Sequence, residues 1–223
     1  MTDLPPVDHE TLSNTVYAAL CEALIKGRMQ PGDRLRIREI AERLGTSVTP
    51  VRDAILRLAH DDAIVFRSPR DIRIPTMTEP RYREIRGIRM RLEGMAAEAA
   101  AEAAGPADIA RLEAIVRENE AALAAGDRQR ATELNQAFHF LLPAIAGLPL
   151  LTGILRRLWL QMGPVIADAY LDGGRAMIDH HYPVVEALRR GDGAGASAAI
   201  IEDIRSGGRP ILARIRAAEP EMA

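Results

Sequence analysis

Apolar residues recur along this chain at helical spacing far more often than at the alternation of a strand. Val16, Leu20 and Leu24 repeat every four residues, which predicts a first helix from about Glu10 to Lys26. Gly27 can end it, and Pro31-Gly32 makes a turn. Ile37, Ile40, Ala41 and Leu44 line one side of a short second helix closed by Gly45. Val51, Ile55 and Leu58 do the same for a third helix, which begins near Ser47 or Thr49 and reaches about His60. Pro50 falls in its first turn, where a missing N–H costs little. Two short apolar stretches follow, Ile64-Val65-Phe66 and Ile72-Arg73-Ile74, separated by Arg67, Ser68, Pro69, Arg70 and Asp71. That is the pattern of a small β-hairpin. After Thr78 the periodicity is helical throughout, in segments near 79–104, 106–125, 127–146, 149–170, 175–190 and 193–216. Gly126-Asp127 and Gly191-Asp192 each join a C-terminal glycine to an N-capping aspartate.

The expected fold is therefore mainly α. Residues 1–9 form a flexible tail, 10–75 a winged helix-turn-helix of three helices plus a small β-hairpin, and 76–78 a linker. Residues 79–223 form an all-α antiparallel helical bundle. Composition agrees: apolar residues are 48%, enough for real cores, while aromatics are only 4% and helix formers dominate. The net charge of -2 excludes a basic nucleic-acid coat. Its distribution says more, because eleven basic residues face seven acidic ones between Lys26 and Arg73. A solvated helical surface would carry the same excess. Cys21 is the only cysteine, which excludes an internal disulfide and a thiolate metal cluster. The start of the chain has no apolar signal segment, and no run of roughly 18 apolar residues could span a membrane. A cytoplasmic protein with no membrane partner is expected.

Three helices and a hairpin can read double-stranded DNA. The third helix fits the major groove, and its N-terminal N–H groups and hydroxyls can hold phosphates. Thr46, Ser47 and Thr49 supply the hydroxyls. Arg52, one turn along, can reach a guanine edge with two hydrogen bonds. Arg38 on the second helix is close enough for a further contact, and Arg67 and Arg70 of the hairpin can reach phosphate or the minor groove. Plainer roles compete: Thr49 as a helix cap, Arg52 as a partner of Asp53 or Glu42.

The stretch from Met29 to Leu35 (MQPGDRL) and that from Ile40 to Leu58 (IAERLGTSVTPVRDAILRL) resemble the GntR family of regulators. The later helices resemble the FCD-type ligand-binding domain of its FadR-like branch, through Arg89–Glu93 (RMRLE), Asn135–His139 (NQAFH) and His181–Asp192 (HYPVVEALRRGD). The resemblance covers nearly the whole chain. It implies a DNA-binding transcriptional regulator, a repressor by expectation, with Arg38, Ser47, Thr49 and Arg52 on operator DNA and Arg70 as a weaker contact. Two departures stand out. Val48 occupies a position where many relatives have Arg, and Asp71 one where the wing usually has Gly. Asp tolerates positive φ less readily than Gly and its charge opposes phosphate.

The FCD resemblance further implies a divalent metal, with Asn135, His139, His181 and Asp203 as its ligands. Asn135 and His139, four apart, share a helix face. His180 is a rival to His181, but the register with Val184 and Leu188 turns His181 inward. Here Asn stands where Asp is frequent and Asp203 where His is usual. Imidazole with oxygen ligands suits Zn, Ni, Mn or Fe. The plain alternative is a pair of satisfied core histidines. Arg89 is the expected grip for an anionic effector, a small organic acid, with pairing to Glu93 as its alternative. A homodimer on a palindromic operator completes the expectation. Two other functions compete: a DNA-binding dimer whose helical domain is purely structural, and a metal-dependent hydrolase or lyase. Against the latter, the chain has no H-E-x-x-H, nucleophile motif or Gly-rich phosphate loop, so no enzyme is expected.

Overall fold

The computed structural model describes residues 12–68 and 70–218, with Leu171 described in its backbone alone. The tail at 1–9 and the start of the first helix at Glu10 lie outside the described residues. The N-terminal part contains α1 (Leu12–Ile25), β1 (Arg34–Leu35), α2 (Ile37–Arg43), α3 (Val48–His60), β2 (Val65–Ser68) and β3 (Asp71–Arg73). The apolar stripes of α1 and α3 pack on each other, and Leu24, Val51, Ile55 and Leu58 are fully buried. Each such side chain contributes on the order of 1.5–3 kcal/mol by leaving water.

The wing differs from a simple hairpin. It is a three-stranded antiparallel sheet in the order β1-β3-β2, with Arg34 opposite Arg73 and Leu35 opposite Ile72. Two residues are too few to show alternation, so β1 leaves no periodic trace. It is fixed by neighbouring contacts: Gly32 N–H donates to Ile74 O and Ile74 N–H to Asp33 O, both at 2.9 Å. Gly32 adopts φ +86, a conformation that glycine takes without strain.

The remaining chain forms α4 (Glu79–Ala103), α5 (Pro106–Ala124), α6 (Arg128–Ile145), α7 (Pro149–Gly173), α8 (His181–Arg189) and α9 (Gly193–Ala218). The segment expected as one helix over 175–190 is instead a 3-10 turn, Gly174–Met177, followed by α8. Gly174 has φ +51 and Ile178 leaves helical geometry at φ -138, so the helical path breaks twice before His181. α4 lies along α9 and also touches α6, α7 and α8. The interior between these helices holds the buried polar residues Arg89, Glu93, Asn135, His139, His181 and Asp203.

The two parts share one core. A single cluster of buried apolar side chains runs from Val16 and Leu24 through Trp159 and Ile166 to Ile215. α1 docks on α7, and polar bonds pin the seam. Arg157 pairs with Asp61 at 2.6 Å, Arg28 with Glu133 at 2.6 Å, and Gln161 donates to the Asp61 carbonyl at 3.3 Å.

Candidate nucleic-acid interface and metal centre

α2 and α3 enclose a groove with the wing, lined by Arg38, Val48, Arg52 and Arg70 together with Arg36 and Ile72. Arg38, Arg52 and Arg70 are exposed, and among the described residues none of them, nor Arg67, enters an ion pair. Arg52 therefore has neither of its candidate partners, Asp53 or Glu42. Arg36 pairs with Glu39, which also lines the groove, whereas the unpaired guanidinium groups of Arg38, Arg52 and Arg70 are a footprint for phosphate and base edges. Ser47 caps α3 by its backbone, at φ -79 and ψ 166, yet its side chain makes no capping bond. Its hydroxyl and that of the exposed Thr49 remain available. Thr46 is different. Its Oγ1 is buried with no hydrogen-bond partner, so the expectation of a third DNA-facing hydroxyl is corrected: this one faces the protein.

Asp71 is also placed otherwise than its charge suggested. It sits in β3 opposite Ser68, after a register shift between Phe66 and Ser68. Its carboxylate accepts from Arg73 Nε at 2.9 Å and lies 3.6 Å from Arg34 Nε. The acid is thus neutralised within the sheet. Among the described residues only Asp62 has positive φ outside glycine, so Asp71 carries no backbone strain.

The second constellation is buried. His139 and Asn135 come from α6, His181 is the first residue of α8, Asp203 lies on α9, and all four are at most 4% exposed. One ligand atom each from His139, His181 and Asp203 falls within 4.8 Å of the others. His139 Nε2 is 3.3 Å from Asp203 Oδ2, and His181 Nε2 is 3.5 Å from Asp203 Oδ1. Asn135 lines the same small pocket, with Tyr82, Arg86, Arg89 and Gly208. His180 is half-buried and caps α8, outside this group.

Several polar atoms here lack partners. Both ring nitrogens of His181 and Oδ1 of Asp203 are buried without a hydrogen bond. Such atoms are costly to bury unless something satisfies them. Burial opposes a charge on His181 and pulls its pKa down to about 4, leaving the neutral form that ligates metals. Burial opposes charge on His139 as well, but Glu93 and Asp203 outweigh it and push that imidazole up.

Arg89 takes up its alternative role. Its Nε donates to Glu93 Oε1 at 2.6 Å, and its guanidinium lies 4.4 Å from the centre of the Trp159 ring. Glu93 was missed as a site residue. A signal existed: it continues the buried stripe of Ile85 and Arg89 at four-residue steps. Arg86, also missed, stands at the pocket beside Tyr82, and no carboxylate pairs with it among the described residues.

Residues 12–74 match the family described as bacterial regulatory proteins, gntR family, and residues 84–206 match the FCD domain. The transcriptional regulator McbR of Escherichia coli K12 is 30% identical over 198 residues, 87% of this chain and 90% of McbR. The chain belongs to the gntR family. As a gntR-family protein with an FCD domain, it is a DNA-binding transcriptional regulator. The solved structure of E. coli McbR/YncC superimposes with a TM-score of 0.83 at 28% identity, covering 92% of this chain and 99% of that one. A GntR chain from Rhodococcus sp. RHA1 shares the fold, with a TM-score of 0.72 at 20% identity over 92% and 98% of the two chains. The repressor RspR of E. coli K12 is 23% identical over 92% of this chain and 90% of its own length. Among the described residues no helix is long and apolar enough to cross a membrane.

Proposed function

We propose that this gntR-family regulator is a cytoplasmic repressor that binds a palindromic operator as a homodimer and senses a small organic acid at a buried divalent metal. Residues 12–75 serve as the operator-reading head and 79–218 as the sensing body. Arg38, Ser47, Thr49 and Arg52 meet the operator, with Arg70 of the wing beside them. A relative named as a repressor, RspR, supports the sign of regulation. Repression and sensing are binding events, and no catalytic step is assigned to any residue.

The observation that carries the sensing role is the set of orphaned ligand atoms. A metal-free core satisfies His139, which faces a carboxylate from each nitrogen, but leaves both nitrogens of His181 and one oxygen of Asp203 without partners. A divalent cation would satisfy one nitrogen of His181 and the orphaned oxygen of Asp203 together. His139, His181 and Asp203 would hold it, with Asn135 as a weaker fourth donor. Two imidazoles and oxygen donors fit Zn, Ni, Mn or Fe. The bound ion would supply open positions for an effector carboxylate. The pocket offers only about 30 Å³, room for little more than a water or two. An acid that reaches the ion must therefore displace walls such as Arg86 and Met177, and that displacement is the means of signalling.

Elemental analysis of purified protein, reconstituted with each metal, tests the site against the double variant His139→Ala/His181→Ala. Wild type should retain about one ion per chain and the variant far less. Equal content in both, or none in wild type, would show that these histidines are core residues. Operator affinity of metal-loaded protein, with and without candidate organic acids, tests the sensing role.

A further inference from the structure

We infer that Glu93 is the positioning residue of the metal centre: its carboxylate, clamped by Arg89 and Trp159, holds His139 by Nδ1 and leaves Nε2 to face the metal ligands. The inference rests on the metal reading above and adds a residue that carries no ligand atom.

The geometry is a chain of contacts across three helices. Glu93 Oε2 lies 2.5 Å from His139 Nδ1. Glu93 Oε1 accepts from Arg89 Nε at 2.6 Å and from Trp159 Nε1 at 3.3 Å. Arg89 and Glu93 belong to α4, His139 to α6 and Trp159 to α7. Glu93 is 1% exposed, so water does not compete for either oxygen. Both oxygens of the carboxylate are thus occupied by donors, which fixes its plane, and Glu93 stands outside the cluster of His139, His181 and Asp203.

An ionised carboxylate only accepts hydrogen bonds. The ring nitrogen facing it must therefore carry a proton. In a neutral imidazole that leaves Nε2 with the lone pair, and Nε2 is the atom directed at Asp203. Glu93 selects the ligating tautomer and prevents the ring from turning. A carboxylate at the far nitrogen also makes the ligating one more basic, and losing such a partner typically weakens metal binding about 10–100-fold.

His181 is held differently. Neither of its nitrogens has a hydrogen bond, and its ring lies flat on Phe138, 4.0 Å between centroids at an interplanar angle of 17°. One histidine is oriented by charge and the other by packing. Arg89 belongs to the same chain of contacts, with its Nε committed to Glu93.

Two measurements test this, both with Zn(II) as the probe. Zinc affinity is read by competition with a chromophoric chelator. The Glu93→Gln variant should bind about 10–100-fold more weakly, because an amide offers only one acceptor and sets its NH₂ against either His139 or the Arg89 and Trp159 donors. The second measurement needs no variant: side-chain ¹⁵N shifts of His139 in wild type with zinc. They should show a protonated Nδ1 and a metal-bound Nε2. Zinc on Nδ1, or unchanged affinity in Glu93→Gln, overturns the inference while leaving the metal site standing. Wild type that takes up no zinc overturns both.

Discussion

Thr49 and Arg52 stand three residues apart on the exposed face of α3, and their chemistry separates positioning from reading. A hydroxyl in the first helical turn holds a phosphate, which fixes the docking register and carries no sequence information. A guanidinium one turn on can make two hydrogen bonds to guanine. Among the described residues Arg52 has no ion pair to break before it does so. Arg52→Ala should weaken operator binding by roughly 1–3 kcal/mol and relax preference at one position per half-site. Thr49→Ala should weaken binding with preference unchanged. Anisotropy titrations at one fixed salt concentration, against the operator and its single-base variants, distinguish the two. Unchanged affinity in Arg52→Ala would mean that α3 is not the reading helix. At this scale the sequence was legible where chemistry is local. The outward residues of α3 follow from its period, and the grouping of His139 with His181 from the family resemblance. Glu93 was legible only as a continuation of the Ile85 and Arg89 stripe and not as a site residue, because an Arg and a Glu four apart on a helix are ordinarily a solvated pair. What buries this pair is α6 and α7, which lie far along the chain. Thr46 was misread for a similar reason, since the direction of its hydroxyl depends on how the α2–α3 turn closes.

Helices carry most of the architecture, and their period made nearly all of them readable. The exceptions lack a period: β1 is two residues long, and the stretch before His181 is broken by Gly174. Nor does any periodicity reveal which helix touches which. The seam between head and body depends on such a contact. A Cβ at Gly163 of α7 would lie 2.1 Å from the carbonyl oxygen of Leu24 and 2.7 Å from that of Ile25, at the end of α1. A Cβ at Gly27 would lie 2.3 Å from that of Ala167. Two helices meet here backbone against backbone. The same helix carries Trp159, which touches Glu93, and Ile166, which lines the pocket of the candidate metal site. One helix therefore bears on both the sensor and the head. Gly163→Ala makes a sharp test, because two effects of opposite sign compete. In a free helix alanine is better than glycine by about 1 kcal/mol. Against α1 it must force the backbones apart, at about 1–3 kcal/mol or more. We expect a lower unfolding midpoint and weaker operator binding, with zinc uptake retained. A rise in the midpoint with unchanged operator affinity would show that α1 is not seated on α7 in solution.

For the molecule as a whole, the number of copies decides whether operator reading is specific. A single recognition helix contacts few base pairs, and the head offers one. Two heads on a two-fold axis read two half-sites, and the operator then mirrors that symmetry, with centres one helical turn, about 34–36 Å, or a multiple of it apart. The body has surface to spare for holding two copies together. On α4, Ile88 and Met95 lie seven residues apart on one face and are 40% and 49% exposed. On α7, Leu150 and Ile154 are 80% and 43% exposed, four residues apart on one face. Large apolar side chains grouped on helix faces mark surfaces that another protein covers. This much was not readable from the sequence, because the same residues would pass for core positions until the packing of α4 and α7 is known. We expect light scattering to give a dimer at micromolar concentration. Replacing Ile88 and Met95 together by Glu should shift it toward monomer, since apposed copies would bury carboxylates without partners. The altered protein should keep its helical content and its zinc. It should bind the full palindrome no better than an isolated half-site, whereas wild type should prefer the palindrome by orders of magnitude. If wild type is a monomer at that concentration and still binds one operator tightly, the homodimer and the two-fold operator both fail. If the double Glu variant remains a dimer, the α4 face is not where the copies meet.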